Sequence, residues 1–371
     1  MASTEDYVTA GLYDPAVDAD TGRLDLLHWL EGLGFTIDEM VEAHGWAGLG
    51  ALAGDRRLVP GERLTDDEAM AISGLDRATF EAVTTAFGFS PWATGEPEQL
   101  GLTEPEATML ATFDQMSTMF TDEEALAFFR VIGSSLARMA EAGVSIFLTD
   151  IESPHLAAQG SELVLAKKVL DANSLIDGMM AELDPALRRH VLHAIERTRL
   201  SSINEFERLQ YRYAVGFVDL VGFTPLSQSM SARELSTFLR EFEGRATDAV
   251  TAAGARLVKL IGDEAMFVAP DPDSACRVSQ ALMTTVATAA GGEVRPRGGV
   301  AYGDVLVRGG DYHGQVVNLA ARLVNEAVPQ ELLVTEAFAD ATTCLVFEPA
   351  GRRMLKGFDE PVVVRSILLD G

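Results

Sequence analysis

The stretch that decides the fold is YAVGFVDLVGFT at residues 213–224, which is followed by ARLVKLIGDEAMFVA at residues 255–269. Apolar residues dominate both stretches, as they do in strands that are buried on one or both faces. Gly262 and Asp263 interrupt the second stretch, and Gly-Asp is a favourable pair for a tight turn. The second stretch therefore predicts a β-hairpin.

Three more apolar stretches predict strands, namely RGGVAYGDVLV (297–307), ELLVTE (331–336) and VVVRSILL (362–369). Helical patterns separate the strands at about 231–251, 273–289 and 315–327. The order of strand, helix, hairpin, helix and strand is that of a ferredoxin-like α+β fold. We therefore predict a βαββαβ domain over residues 209–371.

The region before this domain has no alternating strand pattern, so we predict an all-α domain over residues 1–185 and a helical connector over residues 186–208. Capping boxes, in which a glutamate follows a threonine at the third position, predict helix starts at Thr36, Thr103 and Thr121.

Two residues of this region predict helix boundaries. Gly143 is positioned to end the helix that starts at Thr121, because glycine readily takes the left-handed conformation of a helix terminus. Pro185 is positioned in the first turn of a later helix, where its missing N–H costs nothing.

Residues 64–90 have the pattern of a helix-turn-helix, with Gly74 in the turn. A DNA-binding version needs basic side chains that face phosphates, and this segment has Arg77 alone against five acidic residues. We therefore favour a helical hairpin within a regulatory domain.

The chain is strongly acidic, with 56 Asp and Glu against 29 Lys and Arg and a net charge of −27. This charge argues against non-specific binding to nucleic acid or to anionic membranes. Residues 1–200 carry −21 of this charge and residues 201–371 carry −6, so the two halves differ in electrostatic character. The first half thus accounts for most of the acidity.

The location expected from the sequence is the cytoplasm. Two cysteines, Cys276 and Cys344, do not make a disulfide framework. We see no signal peptide at the N-terminus and no apolar run of the ~20 residues that a membrane-spanning helix needs.

Two aspartates stand where predicted strands end, Asp219 in FVDLVGFT and Asp263 in KLIGDEAMF. A carboxylate at the end of a buried strand is costly unless it is solvated, paired or bound to a cation. Each alone fits a solvated turn residue, whereas the two together suit a Mg²⁺ or Mn²⁺ site. The backbone of 220–224 could then approach phosphates closely at Gly222.

A third motif, GDYHGQVVNLAARL at residues 310–323, places Asn318 and Arg322 four residues apart on one helix face, where both can contact one ligand. For an isolated pair of this kind, an exposed amide and a solvated cation are the simpler interpretation.

Together these motifs resemble the catalytic domain of class III adenylyl cyclases, over about residues 205–371. The resemblance implies that Asp219, Asp263 and the carbonyl of Leu220 hold two divalent cations, Mg²⁺ or Mn²⁺. It implies that Lys259 and Asp311 bind the adenine edge.

The resemblance further implies that Asn318 orients the ribose and that Arg322 stabilises charge at the α-phosphate. Lys356, in the less diagnostic stretch LKGFDEP, matches a lysine that contacts the polyphosphate. Phe223 and Thr224 lie in the turn that we expect to bind the phosphates.

The activity that this resemblance implies is conversion of ATP to cyclic AMP and pyrophosphate. We favour ATP over GTP because guanine would present an acceptor oxygen to Asp311 where adenine presents its amine. In this family the two halves of a site come from different catalytic domains, so one such domain per chain implies a homodimer. A guanylyl cyclase, or a catalytically silent nucleotide-binding module, remains the alternative.

The helical half resembles the N-terminal domains of soluble bacterial cyclases, some of which respond to pH. His190 and His193 lie among arginines in the connector, and histidine titrates near neutrality, so both are candidate regulatory residues. Nine of the 13 methionines also lie in this half, where a pocket for a lipid-like ligand competes with ordinary core packing. The expected lining residues include Met109, Met116, Met119, Met139, Met179 and Met180.

Overall fold

The computed structural model describes residues 2–18, 22–46, 48–89, 101–201, 210–287 and 294–369. The chain divides into two compact units, Met1–Arg188 and Arg189–Gly371, which are described separately. The boundaries expected from the sequence, with a connector over 186–208, remain a prediction, because residues 202–209 lie outside the described part.

In its described part, the chain is helical as far as Ser201, which confirms the all-α prediction. The helices are α1 (Thr4–Thr9), α2 (Arg23–Gly32), α3 (Ile37–Trp46), α4 (Leu52–Leu58), α5 (Asp66–Ser73), α6 (Arg77–Phe87), α7 (Glu104–Leu110), α8 (Thr112–Ser117), α9 (Asp122–Phe147), α10 (Ser153–Ala157) and α11 (Glu162–Ser201).

These helices pack around two clusters of buried side chains. One contains Tyr7, Leu26, Leu30 and Met40 from α1–α3. The other contains Phe80, Phe87, Leu110, Phe113 and Phe129 from α6–α9. The predicted capping box at Thr103 forms, with its backbone N–H and hydroxyl both donating to Glu106 at 2.8 Å.

The two helices and the turn predicted within residues 64–90 are present in the described residues 64–89. Helix α5 ends at Gly74, which has a left-handed backbone (φ 73°), and α6 begins after Asp76, whose carboxylate accepts from the N–H of Thr79. Arg77 is paired with Asp67 at 2.7 Å. The positive charge of Arg77 is therefore paired with an acidic residue of the same segment.

Two predicted helix boundaries are wrong. Helix α9 continues past Gly143 to Phe147, and a π-helical turn at Leu148–Glu152 joins it to α10. Pro185 lies inside α11 and does not begin a new helix. Proline removes one backbone hydrogen bond, but a long helix can absorb this loss at the cost of a kink.

One helical segment, Asp122–Ala157, is long and apolar enough to span a membrane by length and composition, with a mean hydropathy of 1.3 in its most apolar window. No such apolar run was expected from the sequence. Arg138 and Glu141 lie in the middle of the segment, and a charge at the centre of a bilayer costs about 3 kcal/mol. These charges count against a membrane span.

The second unit contains a mixed sheet with helices on its faces. Its elements are β1 (Gln210–Val221), α12 (Phe223–Ser229), α13 (Ala232–Ala252), β2 (Arg256–Ile261), β3 (Glu264–Ala269), α14 (Pro272–Ala287), β4 (Arg295–Arg308), β5 (Asp311–His313), α15 (Gln315–Glu326), β6 (Glu331–Thr335), α16 (Glu336–Ala341), β7 (Glu348–Arg353) and β8 (Val362–Leu368).

The strand order is β2-β3-β1-β4-β6-β8-β7, and β5 pairs with β4. Strands β2, β3, β1 and β4 are antiparallel neighbours and form the predicted ferredoxin-like βαββαβ core. One face of the sheet packs on α13 and α14 through residues such as Phe242 and Leu282. The other face packs on α15 through residues such as Val316 and Ala320.

Glycines in β4 allow α15 to approach the sheet. A β-carbon at Gly299 would overlap the backbone of Ala320 and Val324, and one at Gly303 would press on Val316. A residue with a side chain at Gly299 would therefore push the helix away from the strand. This close contact fixes the position of α15 and of the polar side chains on its exposed face.

A half-buried carboxylate ties α14 to the loop after α16. Asp273 accepts hydrogen bonds from the hydroxyl of Thr342 at 2.6 Å and from the backbone N–H groups of Thr343 and Cys344. These donors lower the pKa of Asp273 from 3.8 to about 2. Cys344, like Cys276, is a free thiol.

We expect Asp273→Asn to lower the free energy of unfolding by about 1–2 kcal/mol, because charge-assisted hydrogen bonds are lost from a partly solvated group. The folded-state pKa is depressed, so the stabilisation is complete above about pH 4 and disappears as the pH falls towards 2. Urea denaturation at pH 7 and at pH 3 measures both effects. Asp359→Asn, in an exposed loop, is the control; equal stability of the two variants at pH 7 would contradict the prediction.

Candidate active site

Asp219 near the end of β1 is paired with an arginine that the sequence reasoning missed. Asp219 lies directly opposite Arg297 in the β1–β4 ladder. The guanidinium donates two hydrogen bonds to one carboxylate oxygen, from Nε at 2.8 Å and from Nη2 at 2.6 Å. Arg297 also donates to the carbonyl oxygen of Asn325 at the end of α15. It therefore joins the acidic end of β1 to the end of that helix.

Asp263 lies in the turn between β2 and β3, as predicted, and its carboxyl is close enough to that of Asp219 for the two charges to interact. Burial, and after it the negative charge of Asp219, raise the pKa of Asp263 from 3.8 to about 6. The next residue, Glu264, has a pKa raised to about 7 by burial and by the two aspartates. Three acidic side chains thus share a small, partly buried region with Arg297.

This cluster has the chemistry of a site for divalent cations. Neighbouring carboxylates that raise one another's pKa repel each other when they are ionised. A divalent cation would neutralise this repulsion and displace the bound protons. Leu220 follows Asp219, and its side chain is buried in the core. Within the described residues, no three Asp, Glu, His or Cys side chains are arranged around one point as in a complete metal site. Asp219, Asp263 and Glu264 all offer the oxygen ligands that hard cations prefer, and the assignment of cations to Asp219, Asp263 and the Leu220 carbonyl stays a prediction.

The turn after β1 leads into a short helix. Gly222 has a left-handed backbone (φ 93°) at the N-cap of α12. The side chain of Phe223 is buried and stacks on Phe238 at a centroid distance of 5.0 Å, so any contact of Phe223 with a ligand would come from its backbone. Thr224 is exposed. N–H groups in the first turn of a helix lack intrahelical acceptors and favour anionic ligands.

Lys259 and Asp311, the two residues predicted to bind the base, contact each other. Lys259 on β2 donates to one carboxylate oxygen of Asp311 on β5 at 2.6 Å. The other carboxylate oxygen accepts from the backbone N–H of Tyr312 at 2.8 Å. Burial acts to raise the pKa of Asp311, but the hydrogen bonds and the charge of Lys259 bring it below its usual value. Asp311 is therefore held as a carboxylate.

Three further predicted residues are exposed. Asn318 and Arg322 lie one turn apart on α15, and Lys356 lies between β7 and β8 beside the buried Leu355. Throughout the described residues, the side chains of Asn318 and Arg322 form no hydrogen bond with the protein. Both are therefore available to a ligand.

Within one chain the predicted residues form separate groups. In the described part, no hydrogen bond or ion pair joins the acidic cluster at Asp219 to the Lys259–Asp311 pair. The structure places two residues beside Asp219 that were not among the predicted site residues, namely Glu264 and Arg297. A sequence signal existed for each: Glu264 directly follows Asp263, and Arg297 is a charged residue in a strand that is otherwise apolar.

The candidate regulatory residues lie on the helical part of the chain. His190 and His193 are exposed on α11. Of the six methionines considered for a lipid pocket, Met109 and Met116 pack against the Phe80 cluster. The others, Met119, Met139, Met179 and Met180, are exposed. Two surface cavities in this unit, of about 490 and 630 Å³, are lined by other residues.

Comparison with known proteins matches residues 210–364 to the family described as the adenylate and guanylate cyclase catalytic domain. The uncharacterized protein Rv2212 of Mycobacterium tuberculosis is 32% identical over 345 residues, which cover 92% of this chain and 89% of that protein. An adenylate cyclase of Streptomyces coelicolor is 31% identical over 75% of this chain and 71% of its own length.

A third relative, the pH-sensitive adenylate cyclase MT1302 of Mycobacterium tuberculosis, is 29% identical over 90% of this chain and 85% of its own length. The similarity to these relatives extends well beyond the catalytic region into the helical half. The chain belongs to the class III adenylyl and guanylyl cyclase family.

Proposed function

We propose that this protein is an adenylyl cyclase, which converts ATP to 3′,5′-cyclic AMP and pyrophosphate. The observation that carries the proposal is the Lys259–Asp311 pair, with its 2.6 Å contact and its ionised carboxylate. Adenine offers Lys259 a ring nitrogen that accepts, and offers Asp311 an exocyclic amine that donates. Guanine would place an oxygen against the carboxylate, which is a repulsive contact in a site built to accept a hydrogen bond.

The reaction needs the ribose 3′-oxygen to attack the α-phosphorus in line with the departing pyrophosphate. Asn318 and Arg322 share one face of α15, so both can reach a single nucleotide. We assign Asn318 to orienting the ribose, which increases the fraction of bound nucleotide that is in the reacting geometry. We assign Arg322 to the charge that develops at the α-phosphate, where a permanent cation lowers the barrier.

The acidic end of β1 would hold the divalent cations of the reaction, through Asp219, Asp263 and the carbonyl of Leu220. When bound, two such cations neutralise phosphate charge and lower the pKa of the attacking hydroxyl. Arg297 is paired with Asp219 through one oxygen only, so the other oxygen stays available to a cation. The turn at Phe223 and Thr224 and the exposed Lys356 are assigned to the phosphates.

Catalytic domains of this family bind a nucleotide and act as dimers. We propose a homodimer with shared sites, in which the acidic cluster of one chain faces the Lys259–Asp311 pair, Asn318 and Arg322 of the other. A dimer that is symmetric would then contain two equivalent sites.

The proposal is tested with purified protein, Mn²⁺ or Mg²⁺, and either ATP or GTP, scored for cyclic product and pyrophosphate. We expect cyclic AMP from ATP and a much smaller yield of cyclic GMP from GTP. A preference for GTP would identify a guanylyl cyclase. Binding of ATP without turnover under both metals would identify a silent nucleotide-binding module.

We further propose that residues 1–185 regulate a catalytic domain at 209–371 through the connector at 186–208, and that pH is a signal. The similarity to MT1302, named as pH-sensitive, supports this proposal. The exposed His190 and His193 lie on α11 near Arg188, Arg189 and Arg197, so protonation would concentrate positive charge on one stretch of helix.

The double variant His190→Gln, His193→Gln should have a flatter activity profile between about pH 5 and 8 if these residues are the sensor, because histidine is the side-chain type that changes charge near neutrality. Cyclic AMP formation by the full-length protein across this range measures the effect. His44→Gln, at another exposed histidine of the helical half, is the control and should keep the original profile. Superimposable profiles for all three proteins would exclude these histidines as the sensor.

A further inference from the structure

Strand β2 contains a bulge that turns two cations to the same side of the sheet. Arg256 lies opposite Val268 of β3, and Lys259 lies opposite Met266, with an irregularity between Leu257 and Lys259. Residues three apart on a regular strand point to opposite faces. Val268 and Met266 are two apart and share a face, so the bulge places Arg256 and Lys259 on that face together.

Both cations reach the hairpin between β4 and β5. Lys259 contacts the carboxylate of Asp311. Arg256 donates from Nη2 to the carbonyl oxygen of Gly310 at 2.9 Å, and its guanidinium carbon lies 5.7 Å from the ring centroid of Tyr312. Arg256 therefore contacts both neighbours of Asp311 in the chain, Gly310 and Tyr312.

The hairpin needs such support because its turn consists of two glycines. Gly309 and Gly310 have φ angles of 59° and 76°, and glycine restricts the backbone least of all residues. Tyr312 is better anchored, because it is buried and packs edge-on against Tyr213 at a centroid distance of 5.4 Å. Arg256 bridges this anchored ring and the glycine turn.

We propose that Arg256 is a positioning residue for base recognition, which fixes the β4–β5 hairpin so that Asp311 meets the exocyclic amine of adenine. This inference rests on the proposed adenylyl cyclase function and assigns Arg256 no contact with the nucleotide. Lys259 acts on the Asp311 carboxylate directly, whereas Arg256 acts on the backbone that carries it. The selectivity for adenine over guanine then depends on both cations.

The test compares kcat/KM for ATP and for GTP in the full-length protein. Arg256→Met keeps the length of the side chain but removes its charge and its donors. We expect kcat/KM for ATP to fall about tenfold and kcat/KM for GTP to change less than about twofold. Arg256→Lys should recover part of the selectivity, because a single ammonium can still donate to Gly310 but lacks the planar guanidinium over Tyr312.

A double-mutant cycle separates positioning from general destabilisation. In an Asp311→Asn background, Arg256→Met should cause no further loss of the ATP to GTP ratio, because the group that it positions is already changed. Arg245→Met is the matched control, since Arg245 on α13 also donates to a backbone carbonyl, that of Thr285 at 3.1 Å. It should leave the ratio unchanged.

Equal losses for ATP and GTP in Arg256→Met would overturn the inference, as would a full further loss in the Asp311→Asn background. If Arg256→Met does not fold, Arg256→Lys carries the same comparison, and an unchanged ATP to GTP ratio there would overturn it. Failure of the proposed function looks different: the unaltered protein would then fail to prefer ATP.

Discussion

Mixing an Asp219→Ala chain with a Lys259→Ala chain should restore cyclase activity that neither variant has alone. In a homodimer with shared sites, each variant damages a different half of the site. A mixed dimer then has one site that carries both changes and one site that carries neither. The intact site needs only an unaltered acidic cluster from one chain and an unaltered Lys259–Asp311 pair from the other.

The expected size of the recovery follows from random exchange of subunits. Half of the dimers would be mixed, and half of the sites in those dimers would be intact, so the mixture should reach about one quarter of the unaltered activity. Each variant alone should lose at least about 100-fold if the proposed roles hold, because each removes a charged group that is assigned to the metal or to the base. Cyclic AMP formation after co-refolding or co-expression measures the recovery.

The matched control pairs two variants of the same half. Asp219→Ala mixed with Asp263→Ala should stay inactive, because the two aspartates lie side by side in one cluster and every site would lack one of them. Recovery in this control, or no recovery with Lys259→Ala despite proven subunit exchange, would contradict shared sites.

The strands and helices of the catalytic unit could be predicted because their signals are local. The apolar stretch that ends at Asp219 and the Gly262–Asp263 turn each carry their own pattern, and the capping box at Ser231 marks the start of α13. The Asp219–Arg297 pair depends instead on the register between β1 and β4, which joins residues far apart in the chain. No local pattern specifies that register.

Helix ends were harder to predict than helices. Gly143 and Pro185 have the residue types of helix boundaries, yet both lie inside helices. Their intrinsic preferences cost about 1 and 3 kcal/mol relative to alanine, which the rest of a long helix can outweigh. The bulge in β2 could not be predicted from the sequence either, since no residue type between Leu257 and Lys259 indicates a bulge. The positioning role of Arg256 therefore emerged only from the structure.

Arg322→Met should lower kcat by about 100- to 1,000-fold, the range for removing one donor that stabilises transition-state charge. KM for ATP should change by less than about threefold, because an interaction made mainly in the transition state contributes little to ground-state binding. Arg322→Lys should recover only part of the rate, because an ammonium lacks the two-pronged geometry of guanidinium. Steady-state kinetics with saturating Mn²⁺ give both constants.

The control for this prediction is an arginine whose charge is used elsewhere. Arg365 on β8 pairs with Asp340 at 3.2 Å, so Arg365→Met should leave kcat within about twofold of its original value. A rise in KM with an unchanged kcat in Arg322→Met would assign Arg322 to ground-state binding and remove its catalytic role. Complementation adds a separate constraint: Arg322→Met should be rescued by Asp219→Ala chains but not by Lys259→Ala chains, since the proposed dimer puts Arg322 and Lys259 in the same half of a shared site.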